Sequence, residues 1–347
     1  MYRTKGIHAP SPCIGTAADA AIAQCPPSPG ADRAALAEVL RLVQARDYRF
    51  TTVTPLTQQR VLASRQGRAA ASLRDVFGWN QPFAPDTVGA PLFAAMRSAG
   101  VLREYGGGLF TSGVRISTIG CDLFVHSAYP TTAEDAVFFG PDTCRFAGFI
   151  QRELRARPGA PARILDVGCG SGAGGLVAAR AWIDAGLPPP AVTMNDINPL
   201  ALAYTAVNAD VAGISVMAAQ GDALSAVAGE FDLIVSNPPY LVDARRRAYR
   251  HGGARLGRAL SVRIAAESLG RLAPGGMLLL YTGVAIVDGI DPLREELQPL
   301  LRALSCTWSY RELDPDVFGE ELESPAYAHA DRIAAVGLAV RRTGGGG

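Results

Sequence analysis

The stretch that decides the fold is ILDVGCGSG at residues 164–172. It begins as a short apolar run, typical of a buried parallel strand, and turns through glycines into a segment rich in Ala, Leu and Val. Glycines at such a turn adopt positive φ and let the backbone approach a bound nucleoside. The spacing Gly168-x-Gly170-x-x-Ala173 also satisfies the loose dinucleotide fingerprint, so the loop alone does not choose between nucleotide ligands.

Acidic residues after successive predicted strands narrow that choice. Asp166 lies two residues before the first glycine, where a carboxylate can order the loop and face the amino-acid end of S-adenosylmethionine. Asp196 ends the next strand and can accept both ribose hydroxyl hydrogen bonds, the alternative being a helix N-cap. Asp222 and Ala223 follow a third apolar run and are predicted to bind adenine, the alternative being a surface turn.

The tetrapeptide Asn237-Pro238-Pro239-Tyr240 follows the apolar run at residues 231–236, at the sheet edge where open α/β sheets bind ligands. Its two prolines fix the chain, and their nitrogens carry no hydrogen to donate. The Asn237 side-chain oxygen and the Pro238 carbonyl are therefore predicted to accept both hydrogens of an NH₂ group, which aims the nitrogen lone pair at a sulfonium methyl. Tyr240 is predicted to offer the acceptor a flat stacking face.

The order and spacing of these motifs resemble class I methyltransferases with a small methyltransferase domain, over residues 130–342. Similar proteins include the release-factor glutamine methyltransferases (HemK-like) and the rRNA guanine and adenine amino-methyltransferases. The resemblance implies S-adenosylmethionine as cofactor, S-adenosylhomocysteine as product, and catalysis by Asn237, Pro238 and Tyr240. The cofactor-binding residues that it implies are Thr143, Asp166, Gly168, Gly170, Gly172, Asp196, Ile197, Asp222, Ala223 and Asn237.

Two further segments take part in the resemblance. Residues 138–143 are similar to the segment through which such enzymes enter the domain and line the cofactor pocket. Residues 249–253 are similar to a loop after the catalytic strand, so Pro239, Arg250 and His251 are predicted to bind substrate. Release-factor methyltransferases usually have an all-helical N-terminal domain, whereas residues 46–130 here look partly β. The resemblance therefore does not directly imply that this protein shares their release-factor substrate.

The sequence predicts two folded parts. Downstream of about residue 130 strand and helix signals alternate, which predicts an α/β, Rossmann-like class I methyltransferase domain at 130–342, with a mostly parallel seven-stranded sheet and helices on both faces. Residues 32–129 show helical spacing and then short strands, which predicts a smaller α+β, winged-helix-like substrate-recognition domain. Residues 1–31 are predicted to be a disordered tail and residues 343–347 a flexible one. The clearest strands are predicted at 163–167, 191–195, 231–236, 277–281 and 334–340.

Composition excludes several other classes of protein. The chain has 347 residues, 48% of them hydrophobic, which is enough for a sizeable core. Its six cysteines are scattered without a C-x-x-C pair, so neither a metal site nor a disulfide framework is predicted. An apolar run of membrane-spanning length is not found, and we expect a cytoplasmic protein without membrane partners. The net charge of +1 gives no overall attraction to nucleic acid.

A local concentration of arginine follows the tetrapeptide. Between Asp243 and Glu267 the chain has seven arginines and no acidic residue. Such a cluster is predicted to hold phosphates or an acidic substrate, and the alternative is a solvated helix face with structural ion pairs. The seven residues are Arg245, Arg246, Arg247, Arg250, Arg255, Arg258 and Arg263.

Three hypotheses of function follow from the sequence. The first is N-methylation of a macromolecule, either an RNA base or a protein glutamine, with the N-terminal part presenting the substrate. The second is N-methylation of a small molecule of secondary metabolism that carries a planar nitrogen. The third is a nucleic-acid-binding protein with an inactive methyltransferase fold, which the intact Asp166, Asp196 and Asn237 argue against.

Overall fold

The computed structural model describes residues 32–155 and 162–343. The predicted N-terminal tail at 1–31 lies outside the described residues, as do residues 344–347 of the predicted C-terminal one. Within the described part, no helix combines the length and apolar character needed to cross a membrane.

A seven-stranded sheet forms the centre of the larger part. Its strands run in the order β10-β11-β9-β8-β5-β6-β7, and every neighbouring pair is parallel except those that involve β11. The strands are β5 (Arg163–Val167), β6 (Ala191–Asp196), β7 (Val216–Gln220), β8 (Phe231–Ser236), β9 (Leu272–Ile286), β10 (Cys306–Asp314) and β11 (Arg332–Arg342). The predicted fold class is confirmed.

Helices flank this sheet, because each parallel crossover returns the chain through a helix. They are α5 (Pro141–Arg155), α6 (Ala173–Ile183), α7 (Pro199–Ala212), α8 (Ala259–Leu269) and α9 (Pro292–Arg302). One apolar core contains Phe146, Leu176 and Met194, and a second contains Ile234, Ile264 and Leu297. The sheet is thus buried on both faces, as a doubly wound fold requires.

Strand β10 corresponds to none of the predicted strands or apolar runs. Strand β10 lies at the sheet edge, and exposed and half-buried residues alternate along most of it. Its sequence CTWSYRELD is interrupted by polar and charged residues, so it lacks the continuous apolar run by which the central strands were identified. The predicted strand at 277–281 is the middle of the longer β9.

The N-terminal part contains four α-helices and two hairpins. The predicted N-cap Asp32 accepts hydrogen bonds from the amides of Ala34 and Ala35, so the first helix begins where the sequence indicates. The helices are α1 (Arg33–Gln44), α2 (Pro55–Ser64), α3 (Pro85–Val88) and α4 (Ala90–Ser98), with a π-helical turn at Arg74–Gly78. The hairpins pair β1 (Leu102–Gly106) with β2 (Leu109–Ser112), and β3 (Val114–Ile119) with β4 (Asp122–Ser127).

This N-terminal part packs directly on α7, one of the helices that flank the seven-stranded sheet. Tyr204 and Val207 of α7 belong to the same apolar cluster as Leu40, Met96 and Val125. The separation into domains at residue 130 therefore stays a prediction, since apolar packing is continuous across that position.

Candidate functional site

A cavity of about 200 Å³ opens beside the carboxyl ends of β5, β6 and β8. This is the edge at which open parallel sheets bind ligands, because the strand-to-helix turns there expose backbone amides. The predicted site residues that line the cavity are Thr143, Asp166, Gly168, Gly170, Asp196, Ile197, Asp222, Ala223, Asn237, Pro238, Pro239, Tyr240 and Arg250. Two others, Gly172 and His251, do not line it.

Asp166 is buried at the end of β5 and lines the cavity. Its Oδ2 accepts a hydrogen bond of 2.7 Å from the amide of Gly175. Burial raises the pKa of this carboxyl to about 7, although the Gly175 hydrogen bond opposes the rise. A Cβ on Gly174 would lie 2.9 Å from the same Oδ2, so α6 approaches the carboxylate closely only because glycine stands there.

The glycine loop has the conformation that the sequence predicts. Gly168 and Gly170 have φ of 69° and 56°, and a Cβ on either would meet no atom within 4 Å. Their conformation therefore requires glycine, and the space beside them is open. Gly172 differs, because a Cβ there would lie 3.0 Å from the Thr205 side chain of α7. The third glycine thus serves helix packing, not the cavity.

Asp196 binds the backbone of the loop from the neighbouring strand. Its Oδ2 accepts from the amide of Gly170 at 2.8 Å, and its Oδ1 from the amide of Asn198 at 2.8 Å. Burial raises the pKa of Asp196 above its ordinary value. The N-cap of α7 is Asn198, whose side chain accepts from the amide of Leu200, so Asp196 is not the cap that the alternative interpretation required.

Three predicted cofactor-binding residues lie at the cavity rim. Ile197 and the Asp222 side chain are more than half exposed, whereas Ala223 is buried. Asp222 accepts a hydrogen bond of 2.9 Å from Arg263, which lowers the pKa of its carboxyl. In this structure the Asp222 carboxylate therefore binds a guanidinium, and adenine would contact it only in competition with Arg263.

Asn237, Pro238 and Pro239 form the part of the rim that follows β8. The preceding Ser236 hydroxyl donates to the Val167 carbonyl at 2.8 Å, which ties the end of β8 to β5. The Asn237 side chain is half-buried and forms no hydrogen bond with any described residue. Its amide is therefore available to a ligand group in the cavity.

Tyr240 lies deeper than the sequence indicates. Its side chain is buried and its ring packs on Gly283, where a Cβ would lie 2.2 Å from the ring. Phe318 contacts it edge-to-face, with the ring centroids 5.9 Å apart. The Tyr240 hydroxyl donates a hydrogen bond to the carboxylate of Asp142. The flat stacking face predicted for Tyr240 is thus largely covered by the protein.

Asp142 is a residue of the site to which sequence reasoning assigned no role. It is buried in the first turn of α5, and its carboxylate accepts from Tyr281 at 3.0 Å and from Arg145 at 2.9 Å. Burial raises the pKa of Asp142 to about 6, against the hydrogen bond from Tyr281 and the charge of Arg145. Its position directly before the predicted Thr143 was the available sequence signal.

Two aromatic side chains line the cavity and could contact a planar ligand group. Phe138 and Tyr249 both line it, and their planes are within 12° of parallel with centroids 6.3 Å apart. The Tyr249 hydroxyl donates to the Thr131 carbonyl at 2.8 Å, which holds the loop after β8 over the segment before α5. His251 instead accepts from the amide of Asp243 at 3.2 Å and stabilises that loop from within.

The predicted basic cluster is mostly neutralised. Five of its seven arginines form ion pairs with carboxylates, four of them with partners outside their own sequence neighbourhood. The pairs are Arg247–Asp243, Arg250–Glu321, Arg255–Glu296, Arg258–Glu296 and Arg263–Asp222. Of the seven arginines, Arg245 and Arg246 are exposed and have no carboxylate partner among the described residues. The alternative interpretation, in which these arginines form structural ion pairs, therefore accounts for most of the charge of the cluster.

The donors and acceptors of the cavity suit a nucleoside with a cationic amino-acid end. Burial raises the pKa values of the Asp166 and Asp196 carboxylates, and neither has a cation partner or a hydroxyl donor among the described residues. An ammonium group and a ribose diol would supply both, and the space beside Gly168 and Gly170 admits them. Within residues 32–155 and 162–343, no group of His, Cys, Asp and Glu is arranged to hold a metal ion.

Comparison with known families identifies the domain. Residues 148–283 match the family described as the methyltransferase small domain. This stretch runs from within α5 into β9 and so contains the glycine loop, Asp196 and Asn237. Over this stretch the chain is similar to methyltransferases that contain this domain, as the motifs predict, and the match supports S-adenosylmethionine as the cofactor.

Named relatives fall into two groups. The release factor glutamine methyltransferase of Deinococcus radiodurans is 35% identical over 170 residues, which are 46% of this chain and 55% of the relative. The ribosomal RNA small subunit methyltransferase C of Chromohalobacter salexigens is 37% identical over 118 residues, 34% of this chain and 30% of the relative. The chain therefore matches about half the length of the first relative and less of the second.

Among solved structures, the chain is similar to the tRNA m1G37 methyltransferase of M. jannaschii. The TM-score is 0.44 at 14% sequence identity, over 67% of this chain and 57% of that chain.

Proposed function

We propose that this protein transfers a methyl group from S-adenosylmethionine to a planar NH₂ nitrogen of a macromolecule, either an RNA base or a protein glutamine. The observation that carries the proposal is the side chain of Asn237, which is unbonded and faces the same cavity as Asp166 and Asp196. Relatives whose names specify a protein glutamine and a ribosomal RNA support these two acceptor classes.

The cofactor supplies a methyl group on a sulfonium sulfur. We assign Asp166 to the ammonium of its amino-acid end, Asp196 to the ribose, and Ala223 to the adenine. Asp196 already holds the Gly170 amide, so the loop is arranged before the ligand arrives. Such preorganisation lowers the cost of ordering the site upon binding.

Asn237 and the Pro238 carbonyl accept the two hydrogens of the acceptor nitrogen and fix its lone pair toward the methyl carbon. Asn237 and the Pro238 carbonyl would hold this nitrogen in line with the sulfonium methyl that the bound cofactor would supply, and water would take the proton that the methylated nitrogen releases. An assigned base is not needed for this step, and the contribution of the protein is orientation and electrostatics. Phe138 and Tyr249 offer the flat contact that Tyr240, being covered, does not.

The test is methyl transfer from tritiated S-adenosylmethionine to a cell extract separated afterwards into RNA, protein and metabolite fractions. We expect label in RNA or protein, and we expect Asn237→Ala to reduce kcat by about 100-fold or more, as loss of one positioned catalytic hydrogen bond does. Cofactor binding by Asn237→Ala, measured by calorimetry, should change less than about threefold, because Asp166 and Asp196 remain.

Three results would contradict the proposal. Full transfer by Asn237→Ala would exclude the proposed contacts to the acceptor nitrogen. Label confined to the metabolite fraction would indicate a small-molecule methyltransferase. Failure to bind S-adenosylmethionine at all would leave a nucleic-acid-binding protein with an inactive methyltransferase fold.

A further inference from the structure

The two parts of the chain carry opposite charge. Residues 32–129 contain 11 arginines and seven Asp and Glu residues, whereas residues 130–347 contain 20 arginines and 24 Asp and Glu residues. The net charge of +1 therefore hides a positive N-terminal part. Five of the seven arginines after β8 are ion-paired, so most of the positive charge in that cluster is neutralised.

This positive charge is concentrated in one continuous segment. Residues 48–74 contain five arginines and no acidic residue. They comprise an extended stretch, α2 and the turn that leads into the π-helical turn. Helix α2 buries only Gln58, so most of its surface faces solvent. We call the exposed arginines of this segment, Arg49, Arg60, Arg68 and Arg74, the basic ridge.

The ridge arginines differ from those after β8 in their partners. The guanidinium groups of Arg60, Arg68 and Arg74 form no hydrogen bond or ion pair with any residue in the described ranges, and that of Arg49 donates only to the Tyr48 carbonyl. Arg65, the fifth arginine of the segment, binds Asp75 and lies 5.1 Å from the Trp79 ring, so it has a structural role. Four guanidinium groups are therefore free to bind an external anion.

The ridge begins next to the wall of the cavity. The Thr52 hydroxyl donates to the Phe139 carbonyl at 3.2 Å, two residues before α2 is capped by Thr54. Phe138, the neighbour of Phe139, lines the cavity. A polymer whose reactive group enters the cavity would therefore lie within reach of α2.

We propose that the basic ridge binds the phosphate backbone of an RNA acceptor and so selects RNA over protein for the transfer reaction. This inference rests on the proposed function. Guanidinium groups pair with phosphate oxygens through two parallel hydrogen bonds, and a row of them without acidic residues matches a polyanion at many positions. The basic residues of a protein surface of mixed charge would meet no complementary carboxylate here, because residues 48–74 contain no Asp or Glu.

The test compares two double variants of equal charge. Arg60→Gln/Arg68→Gln removes half of the ridge, and Arg33→Gln/Arg97→Gln removes two exposed arginines of α1 and α4 as the control. Binding of a fluorescein-labelled RNA hairpin is measured by anisotropy at several salt concentrations. Each lost phosphate contact reduces the slope of log Kd against log salt by about 0.7 to 0.9. We expect the ridge variant to lose about 1.5 in slope and about tenfold in affinity, and the control variant to bind like wild type.

Methyl transfer to deproteinised ribosomal RNA completes the test. In the ridge variant KM for RNA should rise by about the loss in affinity, with cofactor affinity unchanged. Unaltered RNA binding by the ridge variant, or equal losses in both variants, would overturn the proposal. Label in protein but not RNA would also overturn it, while the proposed function would stand. Ridge-dependent RNA binding without methyl transfer to any fraction would support the ridge and refute the proposed function.

Discussion

At the scale of single residues, burial determines the charge of the cofactor site. Asp166 and Asp196 are placed beside backbone amides but away from water, and burial raises the pKa of both. Such carboxylates become fully ionised when a cation joins them, because the opposite charge offsets the loss of hydration. The ligand and the ionised form of the site therefore stabilise each other.

We expect the affinity for S-adenosylmethionine to fall as the pH is lowered through neutrality. Burial raises the pKa of Asp166 to about 7, so the ionised fraction of this carboxylate, which we propose binds the ammonium group, decreases below that pH. The dissociation constant measured by calorimetry should be about tenfold larger at about pH 6 than at about pH 8, since pH 7 lies midway between them. Asp166→Asn should bind weakly at both pH values and lose most of the dependence; a wild-type affinity that is flat over this range would contradict the prediction.

At the scale of elements, the turn after β8 is attached to the start of α5. The Tyr240 hydroxyl and the Asp142 carboxylate make this link, while Gly283 of β9 leaves room for the Tyr240 ring. Tyr281 of β9 binds the same carboxylate from the other side. The position of Asn237 thus depends on two elements that are remote from it in sequence, α5 and β9.

Removing only the hydroxyl of Tyr240 tests this attachment. Tyr240→Phe keeps the ring on Gly283 and Phe318 but releases the turn from Asp142, so we expect kcat to fall about tenfold, with cofactor affinity changed less than threefold. Tyr281→Phe is the matched control, since it removes the other hydroxyl bonded to Asp142 without touching the turn. If Tyr281→Phe lowered kcat as much as Tyr240→Phe, the carboxylate and not the turn would be the sensitive element.

Local sequence patterns predicted the elements well and the contacts between them poorly. The loop at 168–172 and the carboxylates at the ends of β5 and β6 each depend on a few consecutive residues. Apolar runs and glycine spacing were therefore enough to identify them. The link from Tyr240 to Asp142 spans 98 residues, and no periodicity encodes it. The arginines after β8 looked unneutralised for the same reason, because Glu296 and Glu321 lie far along the chain.

At the scale of the whole molecule, the N-terminal part and the sheet layer are joined by a buried side chain. Asn208 of α7 accepts a hydrogen bond of 2.8 Å from the Val125 amide and donates to the Val125 and Ser171 carbonyls, at 3.2 and 2.9 Å. It therefore connects hairpin β3–β4, helix α7 and the glycine loop. Such contacts fix the basic ridge relative to the cavity. A substrate that is held by the ridge must also reach the cavity, so its reaction depends on this arrangement.

We expect Asn208→Ala to destabilise the whole chain by about 3 kcal/mol, because it leaves the buried amide of Val125 and two carbonyls without partners. Urea unfolding followed by circular dichroism should show a lower midpoint with an unchanged slope in one transition, as for a single cooperative unit. The exposed Gln59→Ala should change stability by less than about 0.5 kcal/mol. Two separate transitions in the wild type would instead show that the N-terminal part unfolds on its own, and the ridge would then be held near the cavity only loosely.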